Sequence, residues 1–322
     1  MSTELDPDRF DVHRCSTAAP GWPGADLAYV RRGEGGVPLV CVHGWPETKR
    51  LYWRVIEPLA AAGFDVIVPD LRGFGDSSLG ADGFHDVAAH ARDLLALVDH
   101  LDLEAPIWCG GDLGGPVIQD VSLRAPERCD RLVLFNSPLA WNRDLMGSIP
   151  DTRPPREAAD YFRRQGLDPD GLAAELTTAD QRRRYIATFY TSRFWAHPGH
   201  FDDDAVAFHV EPFGDADRLR ASFGGYESSF SEAARSGPST MASPNPTPTC
   251  LLFGPSDHVL YPSFDRMAAA AFPDHVGPFL LRDCGHFVPW EAPGPLVGAI
   301  SAFGADRTGR RPTGGGPATS RL

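Results

Sequence analysis

Short apolar runs recur along the chain, each ending in a glycine or an acidic turn. They are PLVCVHG (38–44), FDVIVPD (64–70), APIWCGGD (105–112), RLVLFNSP (131–138), TPTCLLFGPSD (248–257) and VGPFLLRDCGH (276–286). Continuous runs rich in β-branched residues suit strands buried on both faces of a mainly parallel sheet. Helical patterns fall between them. DVAAHARDLLALVDHLDL (86–103) puts Val87, Leu94, Leu95, Val98 and Leu101 on one face, and TKRLYWRVIEPLAAAG (48–63) and SFDRMAAAAF (263–272) also read as helices. Strand–helix alternation of this kind predicts an α/β fold with a doubly wound sheet. The earlier segments DVHRC and ADLAYVRRG predict an antiparallel strand pair at its edge.

The alternation stops after Pro138. Residues 139–245 are helical in pattern and rich in arginine and aromatics, and SGPSTMASPNPTPT (236–249) leads back to a strand. The expected organisation is a core of 1–138 and 246–305, with a helical cap of 139–245 over the carboxyl edge of the sheet. Ligands bind at that edge in open α/β folds. Residues 306–322, rich in Gly, Pro and Arg, read as a disordered tail.

Composition narrows the partners. The chain has 322 residues and a formal net charge of -13, which disfavours nucleic acid and anionic membrane surfaces. No run approaches the roughly 18 apolar residues of a membrane span. The polar start MSTELDPDRF lacks a secretory pattern, so a cytoplasmic protein is expected. Cys15, Cys41, Cys109, Cys129, Cys250 and Cys284 read as buried thiols, and no pairing of CxxC or HxxxH type calls for a metal. No cofactor is expected, and a homo-oligomer remains open.

The chemistry is concentrated in WCGGDLGGPVI (108–118), where Asp112 stands among four glycines at a strand-to-helix turn. The small-x-nucleophile-x-small shape is that of a nucleophile elbow, with aspartate in place of serine. A plain tight turn with an Asp cap is the alternative. No G-x-S-x-G occurs in the chain. Elbow enzymes run nucleophile, acid, histidine along the sequence. Asp257, in FGPSDHV, and His286, in DCGHFVPWE, supply the other two in that order, each just past a strand. The other acid position used in such folds reads FNSP here, without a carboxylate. CVHGWPET (41–48) adds a turn whose Trp45 N–H, with that of Leu113, would form an oxyanion hole. Pro46 after Trp45 implies a tight turn that a cis bond would suit. His43 reads as structural.

HGWPET, VPDLRGFGDSS, GGDLGG, FGPSDHV and DCGHFVPWE together resemble the aspartate-nucleophile α/β-hydrolases, the epoxide hydrolases and haloalkane or haloacetate dehalogenases. The likeness runs in family order over nearly the whole chain apart from the tail. An aspartate attacking saturated carbon forms an alkyl-enzyme ester, which water activated by His286–Asp257 then clears. The substrate is then a small apolar epoxide or halide, lying against Trp45, Leu113 and Phe287. The resemblance implies a tryptophan after the nucleophile in haloalkane dehalogenases, and arginines there in fluoroacetate dehalogenases. Leu113 and Pro116 occupy that segment here, so a dehalogenase would need unusual halide donors such as Trp45 or Trp108. For an epoxide, LRASFGGYESSF (219–230) resembles the late-cap segment that ends in a ring-opening tyrosine, Tyr226. In the early cap the closest register puts Ala158 at the second donor position, with Tyr161 one helical turn on. Tyr185, Tyr190 and the arginines 182–184 read as cap packing and a solvated helix face. A non-catalytic ligand-binding member of the fold is the remaining alternative.

Overall fold

The computed structural model of the chain describes residues 3–309, apart from the side chains of Thr3, Ala158 and Ala159. Eight strands form one sheet: β1 Val12–Ser16, β2 Asp26–Arg32, β3 Val37–Val42, β4 Phe64–Pro69, β5 Ile107–Gly110, β6 Arg131–Phe135, β7 Thr249–Phe253 and β8 His275–Leu280. Their order is β1-β2-β4-β3-β5-β6-β7-β8. β1 and β2 are antiparallel, as expected of the edge pair, and β2 is antiparallel to β4; the remaining pairs are parallel. Every residue of β4, β5 and β7 is buried, which explains their unalternating apolar runs. β8 differs. It is an edge strand, so Val276, Phe279 and Leu280 are exposed despite an equally apolar run.

The flanking helices are α1 Ile56–Ala61, α2 Val87–His100, α3 Gly114–Arg124, α11 Phe264–Ala271, α12 Val288–Glu291 and α13 Pro293–Phe303. Two of them depart from expectation. The pattern at 48–63 breaks into a short 3-10 turn, Lys49–Tyr52, before α1. Asp70, at the end of β4, takes the Lys49 N–H at 2.8 Å and its Nζ at 2.5 Å, and so diverts the helix start. In α2 the buried face includes His90 and Asp93, while Val87, Leu95 and Leu101 are only half-buried. Asp93 can be inside because the fully buried Arg72 reaches it through two bonds, at 2.5 and 2.7 Å.

Between β6 and β7 the chain is helical: α4 Arg143–Met146, α5 Arg156–Leu167, α6 Pro169–Glu175, α7 Ala179–Tyr190, α8 Asp203–Val210, α9 Ala216–Ser222 and α10 Gly224–Phe230. The arginine run is not a solvated face. Arg182 bonds the Gly214 and Leu176 carbonyls at 2.8 Å each and Arg183 the Glu211 carbonyl, so among the three only Arg184 is exposed. Tyr190 is buried and its hydroxyl donates to the Pro46 carbonyl at 2.6 Å. At the carboxyl end, α14 (Ala305–Thr308) extends the ordered fold past 305, with Arg307 bonded to Asp130 at 2.6 Å. Residues 310–322, most of the expected tail, lie outside the described residues. All six cysteines are free and buried. No helix among the described residues is long and apolar enough to cross a membrane.

The sheet positions the Asp112 turn through a close approach of α3 to β3. A Cβ on Gly114 would lie 2.4 Å from the Val42 carbonyl oxygen. Gly114→Ala is therefore expected to lower the unfolding free energy by about 1–3 kcal/mol, read by urea denaturation. An unchanged midpoint would show that the approach relaxes freely.

Candidate active site

Asp112 closes the β5–α3 turn with φ 43°, a left-handed conformation that aims its side chain out of the bend. The Asp112 N–H donates to the Asn136 carbonyl at 2.8 Å, which ties the turn to the end of β6. The HGWP turn, whose Trp45–Pro46 bond is cis, delivers the Trp45 N–H to Asp112 Oδ1 at 2.7 Å. Gly44 makes that contact feasible, since a Cβ there would fall 2.5 Å from the Asp112 Cβ. Of the two expected oxyanion donors, Trp45 thus reaches the carboxylate. Leu113 caps α3, and its side chain lines the cavity beside Asp112. His43 is structural, as expected. Its Nε2 accepts the Leu71 N–H at 3.0 Å and its Nδ1 lies 2.8 Å from the Gly44 carbonyl, so Nδ1 carries the proton.

His286 brings the two aspartates together. Its Nδ1 lies 2.8 Å from Asp257 Oδ2, and its Nε2 lies 3.3 Å from Asp112 Oδ2. The second contact is within ion-pair distance but outside hydrogen-bond geometry, which leaves Nε2 without a full partner. All three side chains are buried. Burial alone would lower the His286 pKa; Asp257 and Asp112 outweigh it and hold the imidazole well above its ordinary value. Asp257 is itself restrained. Oδ1 accepts the Val259 and Leu260 N–H groups at 2.7 and 3.3 Å, and Oδ2 accepts the Asn136 amide at 2.9 Å. Asn136 also bonds both the carbonyl and the N–H of Gly254. It is the middle of FNSP, where the sequence shows only a missing carboxylate.

A cavity of about 410 Å³ opens over Asp112. The segment inserted between β6 and β7 (the insertion) contributes Tyr161, Phe162, Tyr226, Ser229 and Met241 to its wall; the rest of the chain, the core, contributes Leu113, Pro116, Val259, Leu260 and Tyr261. Apart from Asp112 no charged side chain among the described residues lines it. Tyr161 and Tyr226 therefore face one space with Asp112. Their ring centroids are 5.6 Å apart, and their hydroxyls lie near one another without full hydrogen-bond geometry, so the buried Tyr226 Oη has no partner among the described residues. Burial pushes both phenols well above their ordinary range, reinforced by the Asp112 carboxylate at Tyr161 and by Tyr161 and then Asp112 at Tyr226, and they stand as O–H donors.

Two expected substrate contacts are not in this wall. Phe287 is fully buried and stacks on Tyr190, with centroids 4.5 Å apart, because the chain turns inward into α12 after His286. The Trp45 indole packs among Tyr161, Phe189, Trp195, Phe223 and Tyr226, with Nε1 donating to Ser222 at 3.1 Å. Trp195, unmarked in the sequence, lies with its ring 4.5 Å from the imidazole of His286. Glu47 was also missed. Its buried carboxylate accepts the Gly44 N–H behind the HGWP turn. No group of three or more His, Cys, Asp or Glu side chains among the described residues is arranged to hold a metal.

Residues 37–293 match the alpha/beta hydrolase fold family, and the chain belongs to it. The soluble epoxide hydrolase of Corynebacterium sp. (strain C12) is 28% identical over 287 residues, 87% of this chain and 94% of the relative. Haloalkane dehalogenase 2 of Mycobacterium bovis is 29% identical over 282 residues, 85% of this chain and 90% of the relative. Among solved structures, the ligand-free epoxide hydrolase CorEH superposes with a TM-score of 0.75 at 24% identity, over 92% of this chain and 99% of that one. That last likeness speaks for the fold.

Glu47 gives a pH prediction. Burial first, with Asp112 and Asp257 adding, pushes its carboxyl from 4.5 up to about 8 against the opposing pull of His286 and the Gly44 N–H. The folded state then holds a proton that the unfolded state releases, so this group's contribution to stability falls as pH rises from 4.5 to about 8. Glu47→Gln keeps an acceptor for Gly44 and removes the titration. Chemical denaturation of parent and variant across this window should show the parent losing stability relative to Gln as pH rises. A pH-independent difference would contradict the assignment.

Proposed function

We propose that this alpha/beta hydrolase fold protein opens epoxides to vicinal diols without a cofactor, through an ester on Asp112. The observation that carries this reading is the shared cavity, with a carboxylate at its floor and two phenol donors, Tyr161 and Tyr226, on its opposite, insertion-derived wall. The relative from Corynebacterium supports it. In the first step an Asp112 oxygen attacks a ring carbon. The C–O bond breaks, and the oxygen takes a proton from a tyrosine as it becomes an alcohol. Alkylation also removes the Asp112 charge that helps hold the His286 proton. The imidazole pKa therefore falls, its proton passes to the tyrosinate left by ring opening and restores the phenol, and His286 becomes a base at the stage that needs one. In the second step Nε2 takes a proton from water, and the oxygen adds to the Asp112 Cγ. The tetrahedral oxyanion forms where the Trp45 N–H already points, with the Leu113 N–H as second donor. Collapse breaks the Cγ–O bond to the substrate; the departing alkoxide takes the proton from the His286 imidazolium and leaves as the diol, and the Asp112 carboxylic acid then gives its proton to His286, which restores the resting ion pair.

The Mycobacterium relative supports a second reading, a dehalogenase with the same triad. Its halide would need donors, and the two indoles available for that role are engaged elsewhere. Trp45 Nε1 is spent on Ser222, and Trp108 Nε1 on the Arg128 carbonyl at 2.9 Å. The epoxide reading is the better supported. Residues 139–245 serve in it as the cap that brings the acid groups to the nucleophile.

His286→Ala should leave the first step intact and stop the second, so that the ester accumulates. Intact-mass analysis of this variant with styrene oxide should show the protein gain the whole mass of the epoxide, and peptide mapping should place it in WCGGDLGGPVI. A gain equal to a haloalkane less hydrogen halide, with inert epoxides, would transfer the assignment to the second reading. No adduct from any substrate that the parent turns over would mean direct attack by water.

Tyr226→Phe keeps the ring and removes the hydroxyl. Single-turnover kinetics should show alkylation slowed on the order of 10²-fold, with ester hydrolysis little changed. Equal alkylation in parent and variant would make Tyr226 a packing residue.

A further inference from the structure

The loop that carries His286 is fastened from an unexpected direction. Glu291, one turn later in α12, is buried, and its carboxylate accepts three backbone N–H groups. Gly285 and His197 donate to Oε2 at 2.9 and 2.8 Å, and Phe287 donates to Oε1 at 2.9 Å. Gly285 and Phe287 flank the histidine. The N–H between them, that of His286, donates to the Trp195 carbonyl at 2.7 Å. Three consecutive amides are thus held, two by Glu291 and one by the insertion. Trp195 and His197 belong to that same insertion segment. The approach is close enough that a Cβ on Gly285 would lie 2.3 Å from the Trp195 oxygen.

A buried carboxylate is costly unless its oxygens are satisfied, and here the donors among the described residues are main-chain amides of two segments. An apolar side chain in its place would leave three N–H groups orphaned. Among the described residues its hydrogen bonds go to these three amides and not to Asp112 or Asp257, and it is not one of the residues that line the cavity. What it fixes is the backbone on either side of His286, and with it the 2.8 Å bond from Nδ1 to Asp257 and the setting of Nε2 beside Asp112.

We propose that Glu291 is a positioning residue: its carboxylate locks the 285–287 loop to the insertion segment 195–197, so that His286 reaches its hydrolytic position only while the insertion is seated on the core. This rests on the two-step reading above and adds to it a coupling between insertion and base. The two steps should feel it differently. Attack by Asp112 requires the carboxylate and a proton donor, and neither is held by Glu291. Hydrolysis of the ester requires Nε2 in place.

The test is rapid-quench mass analysis with styrene oxide on the parent and on Glu291→Gln, which replaces one acceptor by a donor facing N–H groups. Alkylation should stay within about twofold of the parent, while ester hydrolysis slows at least ~10-fold and the adduct accumulates. A merely structural loss would reduce both steps together. Equal slowing, or no accumulation, would overturn the proposal. Glu291→Asp retains the charge but falls short of the three donors; it should show the same split, and serves if the Gln variant does not fold. On the parent, hydrogen exchange should show the amides of His197, Gly285, His286 and Phe287 opening at one common rate. Independent opening of the loop and of the insertion segment would refute the lock whatever the variants do. A parent that forms neither diol nor adduct with epoxides would instead sink the functional reading, while the exchange result still decides the coupling.

Discussion

One imidazole held between two buried carboxylates is the constraint on which the rest of the architecture depends. Three ionisable groups cannot sit in a low-dielectric interior unless each is paired and its remaining lone pairs are met. The protein meets them mostly with backbone amides: Trp45 for Asp112, Val259 and Leu260 for Asp257. Those donors come from the loops after β3 and β7, and Asn136, after β6, closes the gap between them. The parallel sheet is what brings these loop ends to one edge, so the electrostatic requirement and the strand order are one design. Asp112 accepts a strained φ because the Asn136 carbonyl and the Trp45 amide both require its backbone and side chain where they are.

The same logic explains the second ring of acids. Glu47 and Glu291 are both buried; Glu47 receives a backbone N–H of the turn that donates to Asp112, and Glu291 receives backbone N–H groups of the loop that carries His286. Glu47 holds the HGWP turn at Gly44; Glu291 holds the histidine loop. Another fixed negative charge beside Asp112 and Asp257 would oppose both, and a Glu47 carboxyl raised to about 8 stays largely protonated at neutral pH. The neutral form still accepts a hydrogen bond. Thus the turn keeps its anchor without a further charge next to Asp112.

Legibility from sequence follows the physics of each element. Buried strands announce themselves because both faces are apolar, and the glycines around Asp112 mark a backbone that no other residue could follow. For this reason the core strands, the edge pair and the Asp112, Asp257, His286 order could be read directly. β8 could not be distinguished as exposed, since Val276 and Phe279 look like core residues whichever side of the sheet ends there. Buried polar residues failed in the opposite sense. Asp93, Asn136, Glu47 and Glu291 are internal only because a specific partner, distant in sequence, satisfies them, and a one-dimensional pattern assigns such residues to the surface. Phe287 was misplaced because adjacency to His286 says nothing about which way the chain turns after it.

Trp45 joins the two halves of the proposed chemistry in a single residue. Its main-chain N–H is bonded to the carboxylate of Asp112, while its indole is stacked on Tyr161 with ring centroids 5.6 Å apart and an interplanar angle of 8°. Tyr226 meets the same indole edge-on, at 5.4 Å. Nucleophile and proton donors belong to different parts of the chain, and a flexible contact between them would let their separation drift. An indole is rigid, and its N–H is pinned to Ser222 of α9, the helix just before the one that carries Tyr226. The span from carboxylate to phenols is therefore set by one planar side chain with both ends fixed. Aromatic contacts on several sides of it, from Phe189, Trp195 and Phe223, leave it little room to turn. In the proposed reaction a large aromatic at this position would act through the distance it imposes, even though its indole is no part of the cavity wall.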